Sequence, residues 1–456
     1  MVQQSQWQQG KLVQLEITDL NSSGEGVGKC EGQVVFVPDT VTGDRVLVRL
    51  TGVKSQYARG KLVQLLEASP HRIRPRCIVA DKCGGCQWQH IDWEYQLEAK
   101  RQQVMEAIRR IGGFSQPKVA PVLSTAYSLN YRNKSTYPLG ISTTGKVQAG
   151  YYRKNSHQLV NLNQCPVQDA RLHPLLSKTK KDIQQRDWTI YDEKKHRGQL
   201  RHLSLRIGSR TGEMLLTLVT TELELPDLKE QAQIWLEQYP QLVGVCLNYN
   251  PARTNVIFGR ETHTVAGRPY LREIFAGVEL HIGADTFFQI NTEAAELLLQ
   301  TIEAKLDLQG HEVLIDAYCG IGTFTLPLAS KVRQAIGIEL YQASVVRAKH
   351  NAEINAIANV TFRAGAVEKI LCKLEVKPDI VFLDPPRKGC APAVIDALLT
   401  FQPSRIVYVS CQPATLARDL KLLCKSGDYQ LDFVQPADFF PQTTHVECAA
   451  LLSRLD

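Results

Sequence analysis

Cys411 follows the apolar run Arg405-Ile-Val-Tyr-Val409-Ser410 and precedes Gln412-Pro413, so it stands at the tip of a predicted strand. A thiol so placed, facing a crevice, can act as a nucleophile. Three acids end neighbouring apolar runs: Asp316 and Glu339 on either side of Gly320-Ile321-Gly322, and Asp384 before Pro385-Pro386-Arg387. Near the C-terminus, Thr444-His445-Val446-Glu447-Cys448 offers two rival proton acceptors. On an alternating strand His445 and Glu447 share a face, so periodicity does not choose between them. The state of the thiol is open as well, because Arg387 and Lys388 would lower its pKa while Asp384 would oppose them. A second set of thiols lies upstream, where Cys77, Cys83 and Cys86 surround Gly84-Gly85 and Cys165-Pro166 comes at a distance. Four thiolates can hold zinc or an iron-sulfur cluster, and spacing alone leaves the metal open.

The elements that must position these groups are readable in outline. Residues 312–340 form an apolar run ending in an acid, a Gly-x-Gly turn, a helical pattern and a second apolar run ending in an acid, which reads as a βαβ unit. The third glycine of a dinucleotide site is replaced by Thr323-Phe324-Thr325. Hydride chemistry loses ground, and an acid before the turn with another suited to a ribose diol is the pattern of an S-adenosylmethionine site. After residue 311, strands and helices alternate as in a doubly wound parallel sheet, whose ligands sit beyond the carboxyl ends of its strands. Those ends carry Asp316, Glu339, Asp384 and Cys411.

Upstream, residues 11–67 hold short alternating strands and glycine turns, suggesting a small β-barrel. The barrel's seven cations match its seven acids, so its charge does not imply a nucleic-acid partner. Between His71 and Ser135, by contrast, eleven Lys/Arg stand against five Asp/Glu, interleaved with Tyr127, Tyr131 and nearby Tyr137. That mixture suits phosphate neutralisation and base stacking. The helical spacing of residues 93–108 places a helix over the cysteines, and residues 119–285 read as β-rich. Gly283 to Asn291 reads as an ordinary strand-to-helix junction, in which nothing marks Gln289. Three domains are expected: 1–67, 68–285 and 286–456.

With 44% hydrophobic and 22% charged residues, the composition is that of a globular protein. No run approaches the ~18 apolar residues of a membrane span, and Met1 to Lys11 has no secretory core, so a cytoplasmic protein with reduced thiols is expected. A net charge of +7 permits a polyanionic partner. No obligate protein partner is implied, and a monomer is expected.

Enzymes that methylate adenine or glutamine nitrogen end the equivalent strand with Asn/Asp-Pro-Pro-Tyr, whose ring stacks on the target. Arg387 in that place points away from an exocyclic nitrogen and toward the thiol. Uracil C5 is a poor nucleophile until a thiolate adds at C6, and a base must afterwards remove the C5 proton. The chain resembles the RNA uracil-5-methyltransferases, in particular the 23S rRNA (uracil-5-)-methyltransferases with a TRAM domain and a [4Fe-4S] cluster. The resemblance rests on the three-plus-one cysteines, Phe288-Gln289-Ile290-Asn291, Asp316 to Thr325, Asp384-Pro-Pro-Arg387, Ser410-Cys411-Gln412-Pro413 and His445-Val446-Glu447.

It implies a Rossmann-like methyltransferase sheet at the C-terminus, an RNA-binding OB-like (TRAM) barrel, and a cluster held by Cys77, Cys83, Cys86 and Cys165. It further implies S-adenosylmethionine contacts at Gln289, Tyr318, Glu339 and Asp384, Cys411 as nucleophile, and Glu447 rather than His445 as base. Thr323 and Ala366 replace asparagines of some members, and Ser-Cys-Gln replaces the frequent Ser-Cys-Asn. The substrate implied is RNA, with 23S rRNA favoured over tRNA. Two rivals are a cytosine-5 methyltransferase, whose paired Pro-Cys and Thr-Cys motifs are not clear here, and an iron-sulfur RNA-binding protein without turnover, against which Cys411 and Glu447 argue.

Overall fold

The computed structural model describes residues 7–455; Met1 to Gln6, where the leader question and the start of the expected first domain fall, lie outside the described residues, as does Asp456. Strands β1 (Leu12–Leu20), β2 (Gly26–Cys30), β3 (Gln33–Val37), β4 (Arg45–Val53) and β5 (Tyr57–Glu67) close a barrel in the order β1-β2-β3-β5-β4. Its alternation is that of a closed sheet filled from inside: Val13, Leu15, Ile17, Val46, Val48 and Leu50 are buried while their neighbours face solvent. Asp44 ties the barrel to residues 69–72. It is fully buried and accepts from the backbone N–H of Val41 (2.7 Å) and Ser69 (2.9 Å) and from Arg72 Nη2 (2.5 Å).

Helix α1 (Trp93–Arg110) starts at an Asp92 cap, whose side chain accepts from the Tyr95 N–H. Expected to cover the cysteines, it packs instead on the C-terminal sheet. Its Val104 and Ile108 join the core of that sheet, and the buried stripe is completed by Gln96 and Lys100. The stripe repeats every fourth residue, so it covers one face of a helix whichever partner it finds, and tertiary packing selects the sheet. Residues 118–123 then run beside the sheet's edge, with Ala120 and Leu123 donating to the carbonyls of Val434 and Pro436.

The central region contains β6 (Lys134–Ile141), β7 (Val147–Tyr152), β8 (Leu159–Asn161), β9 (Leu200–Ile207), β10 (Met214–Thr220), β11 (Leu242–Tyr249) and β12 (Glu261–Gly267), ordered β12-β11-β10-β9-β6-β7-β8. Two helices that the strand-rich reading does not separate, α2 (His173–Gln185) and α3 (Leu228–Gln238), bury Leu176, Ile183, Ala232 and Trp235 against one face. The hairpin β13 (Tyr270–Phe275) and β14 (Val278–Gly283) shares a core with Leu215 and Cys246 of this sheet and with the next helix.

The last part is doubly wound. It runs α4 (Thr292–Leu306), β15 (Val313–Ala317), α5 (Thr325–Ala329), β16 (Gln334–Glu339), α6 (Gln342–Ile354), β17 (Val360–Ala364), α7 (Val367–Ile370), β18 (Ile380–Leu383), α8 (Pro392–Phe401), β19 (Arg405–Ser410), α9 (Pro413–Leu423), β20 (Tyr429–Ala437) and β21 (Glu447–Arg454). The order is β17-β16-β15-β18-β19-β21-β20, parallel except for β21. Strands β15 and β18 are buried along their whole length, as strands covered on both faces must be. Among the described residues no helix is long and apolar enough to cross a membrane.

Truncating Asp44 leaves Arg72 without its buried partner and two N–H groups without acceptors. Asp44→Ala should therefore cost about 3 kcal/mol, read as a lowered midpoint in thermal or denaturant unfolding; an unchanged midpoint would show that the barrel is docked by other contacts.

Candidate active site

The turn after β15 is shaped by backbone that most residues avoid. Tyr318, Gly320 and Gly322 have φ of 76°, 58° and 87°. A Cβ built on Gly320 would meet nothing within 4 Å, so the turn opens onto a space that a ligand can approach along bare backbone. The N–H groups of Tyr318 and Cys319 donate to the carbonyl of Ile338 at 2.9 and 3.0 Å, tying the turn to the end of β16. Glu339 closes the arrangement, accepting from Gly320 N–H (3.1 Å) on one oxygen and Tyr341 N–H (2.9 Å) on the other. Asp316 is buried under the turn and accepts from Thr325 Oγ1 at 2.5 Å. Burial, with Glu339 adding to it, pushes its carboxyl up to about 7. The donor set, with a backbone cradle and an acid at the end of β16, fits S-adenosylmethionine. Thr323 is buried and Ala366 is the residue before α7.

Asp384 comes directly after β18, half-buried, with Gln289 Nε2 at a long 3.5 Å from its Oδ2. Gln289 itself is buried, delivered across from the junction before α4, which propensity leaves unmarked. The Pro-Pro-Arg loop is fixed from α9: Thr415 Oγ1 donates to the Arg387 carbonyl (3.1 Å) and Arg418 Nη2 to that of Lys388 (3.0 Å). Beneath it buried Asp419 accepts from Tyr408 Oη (2.6 Å) and Cys390 N–H (3.0 Å). Sequence reasoning misses Asp419, although an acid on the apolar face of α9 is a signal that a buried partner exists.

Cys411 is half-buried between the last residue of β19 and the start of α9. Opposing influences act on its thiol. Burial, the charge of Glu447 and that of Asp384 push it up, while the charge and hydrogen bond of Arg387 pull it down, and the net direction is up. Glu447 begins β21, and because that strand runs against β19, Cys448 pairs with Ser410 and Glu447 lies beside the thiol's end of β19. Its carboxyl is buried and held well above the usual carboxylate range by burial and by Asp384, with Arg387 opposing. Asp384 is raised too, by burial and by Asp316. His445 does not share the strand: it lies before β21, exposed, edge-on to Phe440 at 5.7 Å.

Cys77, Cys83, Cys86 and Cys165 line one cavity of about 170 Å³ together with Gln89, Tyr131, Arg132 and Tyr151. The Cys77 N–H donates to Gln89 Oε1 at 3.2 Å, and the Gly85 N–H points to Cys83 Sγ at 3.4 Å. Among the described residues no three of His, Cys, Asp or Glu are placed to hold a single metal ion. Of the three tyrosines expected to stack on bases, Tyr137 is in the core with its hydroxyl on Gln168 and cannot do so. Tyr131 donates to the Pro441 carbonyl at 3.1 Å, and only Tyr127 is broadly exposed. An open cleft of about 630 Å³ runs past Arg76, Trp93, Tyr127, Tyr131, Arg171 and Asn291.

Residues 278–455 match the model of the tRNA (uracil-5-)-methyltransferase family, and residues 6–63 that of the TRAM domain. A protein of Nostoc sp. described as an RNA methyltransferase is 67% identical over 98% of this chain and 97% of its own. One of Synechocystis sp. with the same description is 59% identical over 99% and 97%. Among solved structures, the tRNA (uracil-54, C5)-methyltransferase of Pyrococcus abyssi in complex with S-adenosyl-L-homocysteine superposes with a TM-score of 0.77. That match has 29% identity and covers 96% of this chain and all of the other.

Acids raised in the folded state contribute stability below the ordinary carboxylate range and lose it as pH rises through the folded value. For Asp316 that window runs from about 4 to about 7, and Asp384 shifts in the same direction. Asp384→Asn is therefore expected to raise the melting temperature at pH 8 by about 2–4 °C relative to wild type and to leave it little changed at pH 4. Equal effects at both pH values would show that the Asp384 carboxyl is not raised in the folded protein.

Proposed function

We propose, because this chain belongs to the RNA (uracil-5-)-methyltransferase family and carries a TRAM domain, that it methylates C5 of uridine in RNA through a covalent adduct on Cys411. The observation that carries this reading is the juxtaposition of Cys411, Asp384, Glu447 and Arg387 at one edge of the sheet. S-adenosylmethionine, when bound, supplies an electrophilic sulfonium methyl, and Gln289, Tyr318, Glu339 and Asp384 are the residues that would hold it. Arg387 favours the thiolate of Cys411. The thiolate adds to C6 of an everted uracil, and the electron pair of the C5–C6 double bond moves to make C5 nucleophilic. After C5 has been methylated it still carries its proton. The Glu447 carboxylate removes that proton, the double bond reforms, and the Cys411 thiolate leaves. A dry carboxylate is a stronger base than a solvated one, which suits Glu447 to an unactivated carbon acid.

The four thiols that line one cavity are the residues that would hold the [4Fe-4S] cluster the resemblance implies. Its role would be structural, since methyl transfer involves no net redox change. The cleft past Arg76, Tyr127 and Arg171, together with the barrel, supports RNA binding by the first two expected units, 1–67 and 68–285. The unit 286–456 would carry the reaction. We take 23S rRNA as the target. The second reading is tRNA, which the likeness to a tRNA enzyme favours.

Unmethylated 23S rRNA and tRNA, offered separately with methyl-labelled S-adenosylmethionine, should give 5-methyluridine in rRNA; label confined to tRNA would select the second reading. RNA substituted with 5-fluorouracil, which has no C5 proton to lose, should trap the enzyme through Cys411. Undiminished methylation by Cys411→Ala would overturn the mechanism. Cys411 acts deprotonated and its thiol is raised, whereas Glu447 acts only after methyl transfer, so kcat/KM should climb with pH through the neutral range and keep climbing on its alkaline side. A profile flat above pH 6 would contradict the assignment. Anaerobically purified protein should carry about four irons per chain with acid-labile sulfide; stoichiometric zinc without iron would exclude the cluster.

A further inference from the structure

Glu447 is the first residue of its strand, so its direction is set on one side by strand pairing and on the other by the segment that leads into it, residues 438–446. That segment is irregular and largely buried, and irregular backbone holds a position only through the partners of its polar groups. Its consecutive carbonyls are taken one by one from the N-terminal half of the chain. Phe440 O accepts from Lys100 Nζ at 3.0 Å, Pro441 O from Tyr131 Oη at 3.1 Å, and Gln442 O from the Trp88 N–H at 3.0 Å. Lys100 Nζ also lies 2.6 Å from Asp438 Oδ1, with both side chains fully buried, and Trp93 Nε1 donates to the other carboxylate oxygen at 3.1 Å.

Gln96, one turn before Lys100, is fully buried as well. Its Oε1 accepts from the Gln442 N–H (3.0 Å), and its Nε2 donates to Trp88 O (3.0 Å), Ile91 O (2.9 Å) and Gln442 Oε1 (3.2 Å). The barrel reaches the same segment. A Cβ on Gly24, whose φ is 82°, would stand 2.5 Å from Thr444 Cγ2 and 2.8 Å from Trp88 Nε1.

Apolar residues at positions 96 and 100 would continue the stripe of Val104 and Ile108 and pack the helix at least as well. A buried lysine–aspartate pair gains little stability over such packing, while fixing a definite geometry is the use for which buried polar groups are best attested. What the two residues grip is the approach to Glu447. We infer that Lys100 and Gln96 are positioning residues for Glu447, holding residues 438–446 so that its carboxylate meets the C5 proton of the methylated adduct. The inference rests on the reading of Glu447 as the base. Bond making at Cys411 and methyl transfer precede the use of that carboxylate. A loosened segment therefore slows release selectively: the C5 proton stays on, the C6–S bond does not break, and methylated RNA remains attached to the enzyme.

The test measures, for unmethylated 23S rRNA and methyl-labelled S-adenosylmethionine, kcat, KM and the fraction of enzyme carrying label and RNA on a denaturing gel. The double variant Lys100→Met/Asp438→Leu removes the pair without leaving an orphan charge. It should lose about 10²-fold in kcat, the scale of a 1 Å misplacement, with KM within about twofold. The labelled covalent complex should build up as it does in Glu447→Gln. Gln96→Met should do the same with about a tenfold loss. Asp182→Asn serves as a purely structural control, because it weakens the buried contacts to Trp235 and Lys178 in the central region. It should lower the melting temperature without accumulating adduct. Wild-type kcat in both Lys100/Asp438 and Gln96 variants, or a fall in kcat with no accumulated complex, would overturn the inference while Glu447→Gln still accumulates it. Failure of Glu447→Gln itself to accumulate the complex would remove the assignment of the base and the inference with it.

Discussion

One reversed strand carries the candidate site. In a sheet whose other strands run parallel, every carboxyl end lies at one edge and every amino end at the opposite one. Strand β21 enters between β19 and β20 in the opposite sense, so its first residue, Glu447, arrives at the edge where β15, β16, β18 and β19 end. Had β21 run parallel, Glu447 would lie a strand length away from Cys411. The pairing of Ser410 with Cys448 fixes the register, and a slip of one residue would turn Glu447 to the other face.

Around that edge the protein concentrates groups that oppose one another. Asp316, Asp384 and Glu447 are all pushed toward their neutral forms by burial and by a neighbouring acid, Glu339 for Asp316, Asp316 for Asp384 and Asp384 for Glu447. Arg387 is the cation that opposes this at Glu447 and at Cys411. Charge that is costly at this buried edge would, in the proposed reaction, serve a cationic donor and a pyrimidine. In the proposed mechanism, the same low dielectric that raises Glu447 would strengthen it as a base once it is ionised. Loop 384–390 is correspondingly braced from behind by Asp419 and Arg418, so the exposed Arg387 is presented from a backbone that is itself held.

The rest of the chain is organised to keep this edge in place. Helix α1 and residues 118–123 come from the segment that also carries the cysteines, yet they cover and extend the C-terminal sheet. The cysteine cavity shares Tyr131 with the surroundings of residues 438–446, and Trp88 lies two residues beyond Cys86. The thiol cavity and the approach to Glu447 are thus joined through Tyr131 and Trp88 by short, direct connections. The barrel adds a third contact at Gly24.

Motif residues and local periodicity are readable from the chain alone, because they depend on near neighbours. The barrel's alternation, the acid–glycine–acid pattern of 312–340, Cys411 at a strand tip and the clustered cysteines are all of this kind. The choice of Glu447 over His445 comes from the family resemblance, since period two treats residues 445 and 447 alike; in the structure the strand begins only at Glu447. Tyr137 reads as a stacking surface, but its sheet has a buried face and the tyrosine falls on it. Helix α1 is legible as a helix with one buried stripe. That this stripe meets the distant sheet, with Lys100 finding Asp438 338 residues away, is not, since an amphipathic pattern specifies a face and never its partner. Local chemistry is written in spacing, whereas the meeting of residues 88–131 with residues 438–447 depends on a packing in which Lys100, Gln96 and Tyr131 each find a partner in the distant segment.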